Sequence, residues 1–298
     1  MIETQSQYDR NPPGFRIINA RFLVLFAVVL ISYSPIYKEL IHTWLVDSDN
    51  SHGLLVPFVA AYIAWTIRGK TDCVSPGSSW LGLVLLVMSL SIYLIGMIGG
   101  IVFLPRISFI LTLMAIVLYN YGWNVFKIYL FPLFFLIFMI PVPDTLLGMV
   151  SFPLQRIVSS LSASIISFLG IPVFQEGNLL HFANYSFEVT EACSGIRSLV
   201  VLIALATFLS YITTQSYWAR FLILASSIPI AALGNLIRVV ITGLVAHAYG
   251  NWTAQGFLHE FSGIIIFGFG IVGLVVEIFL LKNMPSFKVT CSQLRETR

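Results

Sequence analysis

Cys193 is the residue whose side chain has the clearest chemical potential. It stands between a predicted β-hairpin and a predicted spanning helix, within the run Glu191-Ala192-Cys193-Ser194-Gly195-Ile196-Arg197. A thiol at a helix N-terminus faces unpaired N–H groups and the positive end of the helix dipole, and both favour the thiolate. Arg197 lies four residues on, on the same helical face, where its charge adds to this effect. These features predict a nucleophile, although a single cysteine in a membrane helix is also often a packing residue.

Arg238 and His259 are the two candidate partners of this thiol. Arg238 lies in the outer half of a predicted span, where an ionisable side chain marks either function or an arginine that reaches the interface. Asn235 is three residues earlier on the same face and can orient it. His259 begins the next predicted span, and an isolated interfacial histidine can equally be inert. The stronger signal is that Cys193, Arg238 and His259 come from three helices and are predicted at one depth on the outer side.

Other chemically capable residues give weaker signals. His52, in the run Ser51-His52-Gly53, could line a substrate path or lie in an ordinary solvated loop. No His or Cys pair has the spacing of metal ligands, so neither a metal ion nor a cofactor is expected. Residues 268–273 have the letters of a dinucleotide fingerprint. They lie inside a predicted spanning helix with no strand before it, so they indicate close helix packing.

The composition predicts that these residues are positioned by membrane helices. Hydrophobic residues make up 58% of the 298-residue chain and charged residues 10%, with a mean hydropathy of +0.91. Soluble domains carry about 25% charged residues. The net charge of +3, without a basic run, gives no footprint for a nucleic-acid partner. The apolar runs predict an all-α polytopic membrane protein with about eight transmembrane helices, at 21–37, 53–67, 80–99, 102–120, 124–141, 194–213, 219–246 and 258–281.

The distribution of Lys and Arg predicts the orientation. With the N-terminus in the cytoplasm, most of the 16 Lys and Arg residues fall on the cytoplasmic side, and the five histidines fall on the outer side. This arrangement predicts a cytoplasmic tail over 1–20, a membrane domain over 21–281 and a second cytoplasmic tail over 282–298. The first apolar segment lacks a convincing cleavage site and is expected to be retained. The candidate chemistry is then on the outer face.

The longest outer segment, 142–192, is predicted to hold the only structure outside the spans. Residues 145–170 are apolar but rich in serine, which favours a helix at the outer interface or packed on the bundle over a ninth span. Residues 173–190 alternate like short strands, with a turn at Gly177-Asn178, and predict a β-hairpin before the sixth span. The edge of such a hairpin permits strand addition by a peptide. Cys73 and Cys291 are predicted on the inner side, so the Cys193 thiol is expected to be unpaired.

These motifs together resemble the exosortase/archaeosortase family. The resemblance is carried by the run around Cys193, by Asn235-Leu236-Ile237-Arg238, by His259 and by an early signature at residues 51–57. They occur in the family's order over about 45–280. The resemblance implies an eight-helix enzyme of the inner membrane that cleaves exported proteins at a C-terminal sorting signal of the PEP-CTERM type. It further implies that Cys193, Arg238 and His259 are catalytic.

The supporting or substrate-binding candidates are Arg197, Asn235, His52 and Glu191. Cys193 is expected to form a thioacyl-enzyme, which an unidentified acceptor amine or water then resolves. Two other classes fit eight helices as well. A transporter or polysaccharide-export component predicts a polar pathway through both membrane halves, whereas the inner halves of these spans carry almost no charge. A membrane acyltransferase predicts a fatty acyl group on Cys193.

Overall fold

The computed structural model describes residues 20–47, 49–183, 186–189, 196–213, 216–249 and 257–281, which form two compact units divided between Pro141 and Val142. Within these ranges the side chains of 20–21, 187, 196–197, 249 and 257–266 lie outside the description. The fold is mainly helical, as predicted. The predicted tails, 1–20 and 282–298, lie almost entirely outside the described residues.

Five α-helices and three short 3-10 turns build the described part of the first unit. The helices are α1 (Ala20–Ser32), α2 (Ser34–Val46), α3 (Val56–Thr66), α4 (Trp80–Gly99) and α5 (Phe103–Phe135). The 3-10 turns are Ser51–Leu54, Arg68–Cys73 and Leu136–Met139.

The first predicted span, 21–37, proves to be a bent pair of helices. The chain stays helical to Val46, but α1 and α2 meet at an angle of 65°. Pro35 stands in the first turn of α2, where its missing N–H removes no hydrogen bond from within that helix. Tyr33 lies at the bend, and its hydroxyl hydrogen-bonds Ser108 at 3.1 Å and Thr112 at 2.9 Å, both on α5. These bonds hold the bend against α5.

Helices α4 and α5 pack closely because two glycines of α4 face the α5 backbone or a proline. A Cβ on Gly82 would lie 2.3 Å from the backbone nitrogen of Tyr119, and one on Gly96 would lie 2.4 Å from Pro105. Ser89, between these glycines, hydrogen-bonds Thr112 at 2.9 Å. The observed range of α4 equals the predicted span 80–99.

Helix α5 covers most of the predicted spans 102–120 and 124–141, with a break between them. Gly122 has φ 73° and ψ −177°, a conformation outside the helical region that glycine adopts readily. The preceding Tyr121 accepts a hydrogen bond from the backbone of Gly77 at 3.2 Å. The break therefore falls where the sequence places a loop between two spans.

In its described residues the second unit contains four α-helices and a small antiparallel sheet. Its helices are α6 (Asp144–Phe168), α7 (Ile196–Thr213), α8 (Tyr217–Tyr249) and α9 (Phe257–Leu281). Its strands are β1 (Phe174–Glu176), β2 (Leu179–His181) and β3 (Ser186–Glu188), in the order β1-β2-β3. Gln175 pairs with Leu180, and Leu180 pairs with Phe187. The predicted hairpin is confirmed, with Gly177 at φ 63° in its turn and β3 added at the other edge of β2.

Helix α6 presents three faces. One face is buried and holds Ser151, Gln155, Val158, Ser159, Ser162 and Ile166. A second is exposed and apolar, with Val150, Ile157, Leu161 and Phe168. A third is exposed and polar, with Arg156, Ser160, Ser164 and Ser167. The two exposed faces suit the predicted interfacial position, while its length and composition also satisfy those of a span. Its position relative to the bilayer stays a prediction.

The count of eight spans is not confirmed. Within the described residues four helices are long and apolar enough to cross a membrane, namely α4, α5 extended to Met139, α6 and α8, and a fifth span is possible if α1 and α2 cross as one. Helix α3 is too short for this test. The parts of α7 and α9 with described side chains, which begin at Ser198 and Phe267, are too short as well. The chain is a membrane protein with several candidate spans.

Candidate functional site

The three predicted catalytic residues belong to the second unit, and the structure describes one of their side chains. Arg238 lies on α8 and is 8% exposed. His259 is the third residue of α9, and Arg197 is the second residue of α7, but their side chains lie outside the description. Cys193 and Glu191 lie outside the described residues altogether.

Arg238 belongs to a buried polar line along α8. The line contains Ser227, Asn235, Arg238 and Thr242, all of them buried. The spacing of 8, 3 and 4 residues keeps these side chains on one face of the helix. Asn235 and Arg238 therefore share a buried face of α8, and the role of Asn235 in orienting the arginine stays a prediction. Since an arginine is costly inside an apolar helix, its inward position favours a functional or paired group over one that reaches the interface.

Contacts at the ends of α7 and α8 show that these helices are antiparallel. The guanidinium of Arg220, in the first turn of α8, lies 5.3 Å from the ring centre of Tyr211 near the end of α7. Leu202 of α7 and Ala231 of α8 then share one buried core. At equal rise per residue, this register sets Ile196, the first residue of α7, level with Asn235.

Helix α9 is also antiparallel to α8. Ser226 donates a hydrogen bond to the Glu277 carboxylate, and a Cβ on Gly273 would lie 3.3 Å from Ile230. The same rise sets Arg238 level with Ile265. The His259 backbone is six residues nearer the start of α9, or about 9 Å along its axis. The starts of α7 and α9 therefore lie beside the half of α8 that carries Arg238.

A buried core joins the hairpin to this same half of α8. Val189, directly after β3, is fully buried in a cluster with Leu180, Val239 and Val240. The α6 residue Ile166 enters the cluster as well, and its side chain is 3.0 Å from a Cβ built on Gly243. The chain before Cys193 thus ends against α8 next to Arg238.

His52 belongs to the first unit, whereas the other predicted site residues belong to the second. It lies in the Ser51–Leu54 turn, and a Cβ on the adjacent Gly53 would lie 2.3 Å from the indole nitrogen of Trp44. This nitrogen donates to the Met139 carbonyl at 2.9 Å. Burial lowers the pKa of His52, and a hydrogen bond to the backbone of Phe138 opposes that shift. Its Nδ1 has no hydrogen-bond partner among the described residues.

The serine-rich composition of 145–170 predicted an interfacial helix and did not reveal that Gln155, Ser159 and Ser162 are buried. Their spacing of four and three residues, which keeps them on one helical face, was the signal that could have found them.

Cys73 is disulfide-bonded, and its partner lies outside the described residues. Structural disulfides are unusual in the cytoplasm. The bond is therefore unexpected at the predicted inner position of Cys73. That the Cys193 thiol is unpaired stays a prediction.

Comparison with known proteins gives one family. The model of the transmembrane exosortase family matches residues 44–276, which is most of the chain. This range agrees with the resemblance over about 45–280. No match was found among curated proteins or among solved structures.

Proposed function

Because the chain belongs to the transmembrane exosortase family, we propose that it is a membrane-embedded cysteine transpeptidase. Its substrates are exported proteins with a C-terminal sorting signal, which it cleaves through a thioacyl-enzyme. We place it in the inner membrane with both termini in the cytoplasm, which puts its active site on the outer face.

The observation that carries this assignment is the position of Arg238 between two fixed points of the chain. Val189 shares a buried core with Val239, and Ile196 is level with Asn235 in the α7–α8 register. Cys193 is three residues before Ile196 in sequence, and three residues of chain span at most about 10 Å. These limits support a thiol within reach of the guanidinium.

The first chemical step is attack by the Cys193 thiolate on the scissile carbonyl carbon. The new C–S bond moves the carbonyl electron pair onto oxygen, and the Arg238 guanidinium stabilises this oxyanion. Because Arg238 is buried, its charge acts in a medium that screens it less than water does.

His259 then transfers the protons. It protonates the leaving amine as the C–N bond breaks and leaves a thioester on Cys193. It next deprotonates the incoming amine or water, whose attack breaks the C–S bond and restores the Cys193 thiolate beside a protonated His259. Arg197 has two candidate roles, pairing with the thiolate or receiving a carboxylate of the substrate.

The bilayer supplies proximity. A substrate anchored by its own spanning segment diffuses in the plane of the membrane and presents its cleavage motif at the outer surface. Tethering both partners in one bilayer turns the encounter into an effectively intramolecular one.

Processing in cells tests the assignment. Removal of an exported protein's sorting signal is followed by immunoblot in cells with wild-type protein, Cys193→Ser, Arg238→Gln or His259→Ala. We expect no processing with Cys193→Ser, and a rate about a hundredfold lower with Arg238→Gln. His42→Ala, an exposed histidine of the first unit, is the matched control and should process normally.

Two outcomes of this experiment would contradict the assignment as a cysteine transpeptidase. Full processing with Cys193→Ser would exclude a cysteine peptidase. An uncut substrate, with a fatty acyl group on Cys193 in the wild type, would favour the acyltransferase.

A further inference from the structure

Three polar groups on α6 are buried and have no hydrogen-bond partner in the part of the chain that the structure describes. Gln155 is 2% exposed, and Ser159 and Ser162 are fully buried. The Gln155 amide nitrogen and both serine hydroxyls make no hydrogen bond with any described residue. An unsatisfied polar group of this kind is costly inside a protein. Three such groups on one side of α6 therefore indicate a ligand that accepts their hydrogen bonds.

These groups face the interior of the second unit. At 100° per residue, the three side chains and those of Val158 and Ile166 lie within an arc of about 100° on one side of the helix. Those two residues belong to the buried core with Val239 and Val240 of α8, next to Arg238. The polar line of α6 is thus on the side of the helix that packs toward the arginine-bearing half of α8.

The chemistry of the line suits an extended peptide backbone. An amide N–H and two hydroxyls all donate hydrogen bonds, and backbone carbonyls accept them. The line rises about 10 Å from Gln155 to Ser162, which is the length of about three residues of extended chain. None of the three groups carries a charge that would select a charged side chain.

We propose that Gln155, Ser159 and Ser162 form a subsite that binds the main-chain carbonyls of the substrate in extended form beside the scissile bond. The inference rests on the proposed function and assigns its substrate-binding surface. The subsite recognises backbone, so it positions different sorting signals without reading their side chains. The three residues are positioning residues and take no part in bond breaking.

Kinetics with the full-length protein in lipid nanodiscs test the proposal. The probe is a synthetic peptide that spans the bond cut by the wild type. We expect Ser159→Ala/Ser162→Ala to lower kcat/KM about tenfold, mainly through KM, since each lost hydrogen bond is worth about a two- to tenfold change. The melting temperature should stay unchanged or rise, because the substitutions remove unsatisfied buried hydroxyls. The matched control is Ser160→Ala/Ser167→Ala on the exposed face of the same helix, which should match the wild type in both.

A second probe separates backbone recognition from packing. Replacing one peptide bond near the cleavage site by an ester weakens its carbonyl as an acceptor. At the contacted position this change should slow the wild type several-fold and slow Ser159→Ala/Ser162→Ala much less, because the hydrogen bond is already lost.

Three outcomes would overturn the proposal. They are an unchanged kcat/KM in the double variant, a fall in melting temperature that accompanies the loss of activity, and equal ester effects in both proteins. Failure of the proposed function shows differently, as no peptide cleavage by the wild type or undiminished cleavage by Cys193→Ser. That result would remove the substrate and this inference with it.

Discussion

Val189 and Val239 lie in one buried core, so the strand segment that precedes Cys193 ends against the helix that carries Arg238. The two residues are 50 positions apart in sequence, and both side chains are almost completely buried. Val189 and Ile196, at the start of α7, are the described residues on either side of the segment that contains Cys193, and both lie beside the half of α8 that carries Arg238.

The hydroxyl of Tyr33 should stabilise the bend between α1 and α2. Tyr33→Phe removes its hydrogen bonds to Ser108 and Thr112 and leaves their hydroxyls fewer partners. We expect the free energy of unfolding in detergent to fall by about 1–2 kcal/mol. Tyr62→Phe on α3, where the side chain is 53% exposed, is the control and should have almost no effect. Equal effects at both positions would contradict a role for this network.

Gly82 should be required for the contact between α4 and α5. In Gly82→Ala the new methyl group would lie 2.3 Å from the Tyr119 backbone nitrogen, so the helices must separate. We expect a loss of about 1–3 kcal/mol in the free energy of unfolding. Gly99→Ala in the same helix meets nothing closer than 3.7 Å and should be tolerated. A stable Gly82→Ala protein would show that the two helices pack less closely.

Stability should depend on pH through His52. Burial lowers its pKa below the ordinary value of 6.5, so the unfolded chain takes up a proton at a higher pH than the folded one. The stabilisation is present above pH 6.5 and is lost as the pH falls below it. The melting temperature of the wild type should therefore drop between pH 8 and pH 5.5 by more than that of His52→Gln. Identical pH profiles would show that His52 does not contribute.

The Cys193 thiol should be free and accessible from the outer face. A maleimide that does not cross membranes should label wild-type protein in intact spheroplasts without reductant, and Cys193→Ser should remain unlabelled. If Cys193 is free, Cys73, which is disulfide-bonded, has only Cys291 left as a partner within the chain, so neither provides a thiol in that variant. If labelling of the wild type requires a reductant, Cys193 is in a disulfide and cannot serve as the resting nucleophile.

Local patterns predicted those elements whose ends carry their own signals. Helix α4 ends at Gly99 because Gly100 adopts φ 65°, and the hairpin turns at Gly177 for the same reason. Both could be read from apolar runs and glycine positions. The alignment of Asn235 with Arg238 followed from helical periodicity alone.

Features that depend on tertiary contacts could not be predicted from local sequence patterns. The bend at Tyr33 is held by hydroxyls on α5 that are about 75 residues away in sequence. The serines of 145–170 led to the prediction of an interfacial helix, because composition does not reveal which side of a helix is buried. Whether 145–170 crosses the membrane depends on the balance between Arg156 and the apolar face, which the sequence pattern leaves open.

Mass spectrometry of the intact protein tests the central claim most directly. The protein is purified after co-expression with an exported protein that bears a sorting signal, as wild type and as His259→Ala, which lacks the group that protonates the leaving amine. We predict a substrate fragment attached to Cys193 of the wild type that is released by hydroxylamine and is less abundant in His259→Ala. An unmodified Cys193 in both proteins, beside uncut substrate, would contradict the account.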